Sequence, residues 1–342
     1  MKKLLIASAM LCLSGAVMAQ SSVTMYGVAD AALIKLQRQK MQMGSGSGDL
    51  MTNGDSRLGV RGNEDLGGGL NVGFNFETRL SLETGGALGK NPAGGFWSPT
   101  SKVWIGGNWG TFSMGRTLTP SFYGVFAWEL TGAANYTLVG NTYGWGGANP
   151  RNDSQFGYKT PNLGGFTAEI GYITKSDYQT FMATPAKPYK DKWDMNLLYA
   201  NGPITASLTA NKVLNAANQN KVNWSLGGRY NFGNFIVAAS YNDAYQVGAV
   251  SKWVDATTIT PITLGRRAGV TLGGTALFGP FSMTVDVSHD TKRQILLGTN
   301  NKKLTNSMLE GKYAFSKRTF VYAAYLHRDR TNNYGLGLRH NF

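Results

Sequence analysis

The side chains that most often carry acid–base chemistry are scarce in this sequence. Histidine occurs only at His289, His327 and His340, and a catalytic histidine needs a carboxylate or serine partner within hydrogen-bond reach. Asp290 directly follows His289, but neighbouring residues of a strand point to opposite faces. The sequence therefore predicts no histidine-based active site.

Sites for metals and phosphates are also missing from the pattern. The chain has one cysteine, Cys12, and no two histidines share a spacing that suits metal ligation. The glycine clusters at 67–69 and 146–147 lack the lysine and threonine that follow in a phosphate-binding loop. We therefore expect no metal, no cofactor and no enzymatic activity.

Basic residues outnumber acidic residues in this chain. The chain has 33 lysine and arginine residues against 19 acidic ones, a net charge of +14. Such an excess suits nucleic acid, an acidic surface or anionic solutes. Lys2 and Lys3 precede an apolar run that ends before Ala19, which is typical of a secretory signal peptide. We expect cleavage after residue 19, export of residues 20–342 and no nucleic-acid partner.

Apolar and polar residues alternate along much of the chain, which predicts strands. These strands would position the basic residues. Between residues 70 and 80, one face would carry apolar side chains and the other Asn75, Glu77 and Arg79, a period of two that indicates a strand. The same alternation recurs at 193–199, 204–209, 222–229 and 281–288. A soluble β-sandwich alternates too, so this pattern alone leaves both architectures open.

The lengths of the connections distinguish a barrel from a sandwich. Seven short, turn-rich connections alternate with eight that are mostly long and polar. The short ones lie at 64–69, 108–110, 162–165, 201–203, 231–234, 278–280 and 316–318. The long ones lie at about 33–55, 83–101, 117–151, 174–192, 213–221, 245–265 and 290–303, and the eighth, near 328–332, is brief. This alternation predicts an all-β fold, a 16-stranded antiparallel transmembrane β-barrel with short periplasmic turns and long external loops.

The last strand indicates how the barrel closes. Tyr334, Leu336 and Leu338 alternate with polar or small residues up to the terminal Phe342. We expect this strand to pair with the first one, residues 23–32, and to leave no unpaired sheet edge. A barrel protease or phospholipase would need the histidine site that is missing. A structural or adhesive barrel would more often have a small, filled interior, whereas sixteen strands leave room for water.

Four segments carry a resemblance to a known family, and they are spread over the whole chain. They are Ala19–Gly27, Ser56–Leu70, Phe112–Arg116 and the terminal Phe342. With these segments the chain resembles the general trimeric porins of Gram-negative outer membranes, most closely their β-proteobacterial branch. The resemblance implies a homotrimer in the outer membrane, in contact with lipid and lipopolysaccharide. It also implies a third external loop, residues 117–151, that folds into the barrel and narrows it.

The resemblance places a basic wall opposite this constriction loop. Its members would be Arg57, Arg61, Arg79, Arg116 and Lys159. Strand parity independently places all of them except Arg116 on the inner face, and Arg116 fits only if a bulge or the end of its strand redirects it. An alternative is that lumen acids such as Glu77, Glu169, Asp194 and Asp286 neutralise these cations.

The constriction loop departs from the enteric members of the family. Residues 117–150 contain one acid, Glu129, and many aromatic residues, among them Tyr123 and Trp128. These aromatic residues either pack the loop against the wall or offer a stacking surface to aromatic or sugar solutes. The expected function is passive diffusion of small hydrophilic solutes, with a preference for anions.

The loops themselves add cations whose role the sequence leaves open. They would meet lipopolysaccharide phosphates or form a solvated rim. They are Lys175, Lys187, Lys190, Lys192, Arg266, Arg267, Lys292, Arg293, Lys302 and Lys303.

Overall fold

A computed structural model of the chain describes residues 22–46, 48–87, 95–145, 150–174, 191–214, 220–245, 249–253, 259–263, 265–294 and 301–342. The expected signal peptide, residues 1–19, lies outside these ranges.

Nineteen strands and two helices occupy the described ranges. The strands of the first half are β1 (Ser22–Lys35), β2 (Gln42–Gly44), β3 (Arg57–Gly67), β4 (Leu70–Arg79), β5 (Thr100–Gly107), β6 (Gly110–Leu118), β7 (Arg151–Lys159), β8 (Phe166–Ile173), β9 (Lys192–Asn201) and β10 (Ile204–Leu214). Those of the second half are β11 (Asn220–Asn231), β12 (Phe235–Tyr245), β13 (Ala249–Trp253), β14 (Ile259–Thr263), β15 (Arg266–Phe278), β16 (Phe281–Arg293), β17 (Thr305–Ala314), β18 (Thr319–Arg328) and β19 (Thr331–Asn341). Helices α1 (Pro120–Trp128) and α2 (Leu138–Tyr143) lie between β6 and β7.

Sixteen of these strands form one closed antiparallel ring, as the sequence predicted. Each pairs with its sequence neighbour, and β1 pairs with both β3 and β19. Short strand β2 adds to the outer end of β1, and β13 and β14 form a separate hairpin in the loop between β12 and β15. At the seam, Phe342 and Gly27 exchange two backbone hydrogen bonds of 3.0 and 2.9 Å. The closed ring leaves every barrel strand with two neighbours.

The alternation of short and long connections is also confirmed. All seven predicted turns join consecutive barrel strands at one rim, and the long connections lie at the other rim. Glycines allow several of these turns, since Gly68, Gly202 and Gly279 adopt positive φ angles of 63°, 55° and 59° that other residues rarely adopt.

The two faces of each strand differ in chemistry. On β16, Met283 and Val285 face outward and remain more than 40% exposed, whereas Thr284 and Asp286 face inward and are buried. A continuous exposed apolar outer surface would be unfavourable in water, but it suits the hydrocarbon layer of a membrane. Neither helix in the described ranges is long and apolar enough to cross a membrane.

The interior of the barrel is partly filled by its own loops. One apolar cluster includes Ile34, Met51, Leu138, Met308 and Leu326, all almost fully buried. It joins the inner faces of β1, β17 and β18 to residues of the first and third external loops. The sequence predicted that the third loop is inserted. It did not predict that part of the first loop is inserted beside it.

Candidate functional site

Helix α1 begins the inserted third loop and is held against strands β9 to β11. Thr119 caps its N-terminus by accepting a hydrogen bond of 3.0 Å from the amide of Phe122. Asp194 of β9 accepts hydrogen bonds from the amide and hydroxyl of Ser121 at 2.6 and 2.8 Å. At the other end, the indole N–H of Trp128 donates to Ser207 of β10 at 3.1 Å. The helix therefore lies along the inner wall and not across the whole lumen.

Two glycines permit this close contact. A Cβ atom on Gly124 of α1 would lie 2.3 Å from Thr209 on the wall, and one on Gly227 of β11 would lie 2.3 Å from the Trp128 ring. Both distances are well below van der Waals contact. These glycines let the helix and its tryptophan lie flat on the wall.

The turn after α1 is organised by Glu129, which is almost fully buried. Its carboxylate accepts hydrogen bonds from the hydroxyl and amide of Thr131 at 2.6 and 3.0 Å, from the amide of Ala133 at 3.1 Å and from the hydroxyl of Thr137 at 2.7 Å. The acid that the sequence singled out as the loop's only negative charge thus stabilises the loop from inside and does not point into open water.

Tyr136 connects this turn to the barrel wall. Its hydroxyl donates to Glu310 of β17 and accepts a hydrogen bond of 2.8 Å from the side-chain amide of Asn53. Burial, reinforced by the charge of Glu310, raises the pKa of Tyr136 well above its ordinary value, so the phenol remains a donor. Tyr322 of β18 extends the network, since its hydroxyl donates to Asp30 at 2.6 Å and accepts from the amide of Asn53.

Helix α2 ends the described part of the loop on the opposite wall. Thr142 lies 3.0 Å from Ser288 of β16, and the Tyr143 hydroxyl donates to the carbonyls of Val270 and His289. Burial raises the pKa of Tyr143. The inserted loops therefore line the interior from β9 round to β19, and the free passage lies beside β1 and strands β3 to β8.

The predicted basic residues lie on this free wall, but at two heights. Arg57, Arg79 and Arg116 form an outer group near the long loops, and Arg61 and Lys159 form an inner group nearer the short turns. Because paired residues share a face, the register of β3 and β4 places Arg57 and Arg79 on one face together. Their roles in transport remain a prediction.

The outer group is largely paired with acids. Arg57 lies 3.2 Å from Glu77, Arg79 pairs with Asp55, and Arg116 pairs with Asp153. A register shift between Gly115 and Thr117 redirects Arg116, as the sequence required. Gly115 has a φ of 127° and a Cβ there would lie 2.2 Å from the carbonyl of Ser101, so the bulge depends on glycine.

Sequence reasoning missed two members of this wall. Arg151 donates to the carbonyl of Pro99 at 2.6 Å beside the outer group, and Lys102 of β5 joins the inner group. The register places Lys102 opposite Asn75 on β4, which itself faces Arg61. Strand parity within 100–107 was the signal that would have revealed Lys102.

The inner group surrounds an open cavity of about 420 Å³. Its lining includes Tyr26, Arg61, Lys102, Trp104, Lys159 and Glu169. Within the described ranges, Arg61, Lys102 and Lys159 form no salt bridge, in contrast to the outer group. Glu169 is the cavity's single acid, so the lining has a formal excess of two positive charges.

The lumen acids that were expected as alternative partners behave differently from one another. Glu77 pairs with Arg57 and Glu169 faces Lys159 across β7 and β8. Asp194 instead anchors α1, and Asp286 is buried beneath the inserted loop. Neutralisation is therefore strong in the outer group and weak in the inner group.

Most aromatic residues of the loop pack it against the wall. Trp128, Tyr136, Tyr143 and Trp145 are almost fully buried, whereas Tyr123 is 41% exposed. Tyr123 lies beside the passage. The stacking surface that the sequence allowed on the described part of this loop is thus reduced to Tyr123 and the half-buried Phe122 and Phe126.

Several cations predicted for the outer rim have internal partners. Arg267 is buried and pairs with Asp290 at 2.7 Å and with Asp329 at 2.8 Å, and Arg293 lies 3.7 Å from the same Asp329. Although burial opposes it, the charge of Arg267 holds the pKa of Asp329 below its ordinary value. Arg266 pairs with Asp243. Lys175, Lys187 and Lys190 lie outside the described residues, and Lys192 faces inward on β9.

The histidine that most resembled a catalytic group has no suitable partner among the described residues. His289 faces outward and contacts Thr305, while Asp290 points inward to Arg267. Among the described residues, no group of three or more histidine, cysteine, aspartate or glutamate side chains is arranged to hold a metal ion.

Comparison with known proteins assigns this architecture to a class. Residues 6–333 match the Gram-negative porin family. Over 245 residues the chain is 35% identical to outer membrane porin protein 32 of Delftia acidovorans, an alignment that covers 68% of this chain and 67% of that protein.

Two solved structures share the fold. The anion-selective porin from Comamonas acidovorans superposes with a TM-score of 0.72 at 25% identity, covering 94% of this chain and 100% of that one. The trimer form of OmpT from Vibrio cholerae has a TM-score of 0.67 at 17% identity and covers 94% and 99% of the two chains. The chain belongs to the Gram-negative porin family and is a pore-forming β-barrel of the outer membrane.

Proposed function

We propose that this porin is a passive diffusion channel that prefers anions, and that residues 117–151 form its constriction against the wall of strands β3 to β8. Small hydrophilic solutes would pass between Tyr123 on the loop and the basic residues of the wall. No chemistry is required of the protein, since the wall only changes the free energy of solutes in transit.

One observation carries the anion preference: the lumen cations are accessible while many of the lumen acids are buried. Arg61 and Lys159 are exposed, whereas Glu129, Asp286 and Glu310 are at most 5% exposed. Two unit charges 4 Å apart interact by about 1 kcal/mol in bulk water and about 4 kcal/mol at a protein-like effective dielectric. The likeness to a porin described as anion-selective supports the same sign of selectivity.

The experiment is a reversal-potential measurement across a planar bilayer with a tenfold KCl gradient. We expect the sign of a chloride-preferring channel, with a selectivity that falls as ionic strength rises, because the Debye length shrinks from about 10 Å at 0.1 M to about 3 Å at 1 M salt. The triple variant Arg61→Gln, Lys102→Gln, Lys159→Gln should lose most of the preference.

A matched control removes charge from the short-turn rim. Lys317 and Arg318 are exposed there, outside the passage, so Lys317→Gln with Arg318→Gln should leave the selectivity nearly unchanged. A cation-preferring wild type, or a triple variant as selective as the wild type, would contradict the proposal.

We also propose that the channel is a homotrimer surrounded by outer-membrane lipid. Residues 1–19 would act as a signal peptide that directs export and is then cleaved. Ala29 and Ala31 form a strip of small residues on the outer face of β1, which suits contact with another subunit, whereas Gly27 on the same face is covered by the Phe342 ring. Ala32 faces inward and belongs to the buried interior cluster. The trimer form of the structurally similar OmpT supports this assembly.

Lipopolysaccharide contact is proposed for the external rim. Lys302 and Lys303 are exposed between β16 and β17, whereas Arg266 and Arg267 already have acidic partners. The candidate phosphate-binding cations are therefore fewer than the sequence indicated.

A further inference from the structure

Two aromatic rings on the lumen wall lie flat beside the unpaired cations of the inner group. Tyr26 of β1 lies across Gly59 of β3, where a Cβ would be 2.4 Å from the ring. Trp104 of β5 lies across Gly73 of β4, where a Cβ would be 2.3 Å from the indole. Glycine at these two positions lets each ring rest on the neighbouring strand, and both rings line the cavity.

Each of these rings has a cation near its face. The guanidinium carbon of Arg61 lies 5.0 Å from the centre of the Tyr26 ring, and the Lys102 ammonium lies 5.8 Å from the centre of the Trp104 ring. Both distances are within the range of a cation–π contact. An aromatic surface and a positive charge are thus available at the same place.

Gly157 keeps the space in front of this wall open. It lies on the inner face of β7 between Gln155 and Lys159 and lines the cavity. Lys159 closes the far side, near Glu169. The cavity of about 420 Å³ is at the lower end of the size range of small-molecule sites.

We infer that this cavity is a binding site within the pore for planar aromatic carboxylates, with the ring on Trp104 and Tyr26 and the carboxylates toward Arg61, Lys102 and Lys159. The inference rests on the proposed anion-preferring channel and adds a solute class to it. The aromatic surface that contacts the solute would therefore lie on the wall opposite the third loop, and not on the loop itself, where most rings are buried.

The test compares two dianions that differ only in their ring. Terephthalate has a flat aromatic ring, and hexahydroterephthalate has the same two carboxylates on a saturated ring. Single-channel current in KCl is recorded while either compound is added, and the concentration that halves the current is measured. An aromatic contact worth about 0.5–1.5 kcal/mol predicts that terephthalate acts at a concentration about two- to twelvefold lower.

Three variants separate the contribution of the ring from that of the charge. Trp104→Leu and Tyr26→Leu should each bring the two half-blocking concentrations closer together. Lys159→Gln should raise both concentrations by a similar factor and keep their ratio. Trp193→Leu removes a tryptophan on the outer face of β9, paired with Tyr172, and should leave the ratio at the wild-type value.

The outcomes distinguish this inference from the proposed function. Equal potency of the two compounds in the wild type, or an unchanged ratio in both leucine variants, would overturn the aromatic site while chloride preference persists. A wild-type reversal potential without chloride preference would instead overturn the proposed function. If Trp104→Leu does not assemble, Tyr26→Leu and the wild-type ratio still decide the matter.

Discussion

At the scale of single residues, charge alone did not predict where a residue acts. Glu129 is the only acid between residues 117 and 150, so the loop has little negative charge with which to oppose the basic wall. In the fold its carboxylate accepts four hydrogen bonds from residues of its own loop. A buried acceptor with this many donors stabilises a turn more than it attracts ions.

We expect Glu129→Gln to loosen this turn. The amide presents N–H donors where the carboxylate accepted, and leaving buried donors without acceptors costs about 1–3 kcal/mol. Amide hydrogen exchange of Thr131 and Ala133 should become about 5- to 150-fold faster. Glu64→Gln, at an exposed position near the end of β3, is the control, and unchanged exchange in Glu129→Gln would show that the carboxylate is not required.

At the scale of elements, the position of α1 depends on a few contacts with the wall. Asp194 receives both hydrogen bonds of Ser121 at the start of the helix, and Trp128 is fixed at its end. The helix carries no acidic residue in its first turn and no basic residue in its last. Its orientation therefore depends on these anchors and on the glycine at 124.

Asp194→Asn should release the start of α1 toward the passage. The amide nitrogen of asparagine cannot accept a hydrogen bond, so one of the two Ser121 donors loses its acceptor. We expect single-channel recordings with extra current noise and brief lower-conductance states. Asp191→Asn, three residues earlier and exposed, should behave like the wild type; equally quiet recordings from both variants would argue against the anchor.

Strands were predictable from the sequence, whereas the interior was not. The period of two in 281–288 reports directly which side chains face lipid, because each strand has only two faces. Residues 48–56 show no such period, and their inward fold depends on contacts such as Asn135 with Asp55 at 3.0 Å. Those contacts join residues 80 positions apart, so no local pattern encodes them.

The basic wall was likewise predictable only in part. Parity placed Arg57, Arg61, Arg79 and Lys159 on the inner face, and register confirms that face for each of them. Which cations are neutralised depends on Asp55 and Asp153, which lie in a loop and beside a bulge. The sequence could therefore predict a positive wall but not which part of it remains unpaired.

At the scale of the whole molecule, the outer surface divides into a lipid-facing belt and the strip on β1. Leu336 and Leu338 of β19 are at least 50% exposed beside Ala29 and Ala31. Small residues next to large apolar ones give a surface with recesses, and such a surface suits close packing against a second copy.

Ala31→Trp should therefore shift the protein from trimer to monomer. A bulky ring on this strip would separate neighbouring subunits, although an isolated barrel would tolerate it in detergent. The mass of the purified protein by sedimentation or native mass spectrometry measures the change. Ala239→Trp, on the outer face of β12, should remain trimeric; a trimeric Ala31→Trp protein would place the subunit contact elsewhere.

The seam between β1 and β19 also has a consequence for the order of events during assembly. The pairing joins Val28 to Asn341, positions at opposite ends of the chain, and contacts so distant in sequence form late because much chain must be ordered first. Until then β1 and β19 each have an unpaired edge, which other chains can bind. The interval before this seam closes is therefore the period when the protein is most open to aggregation.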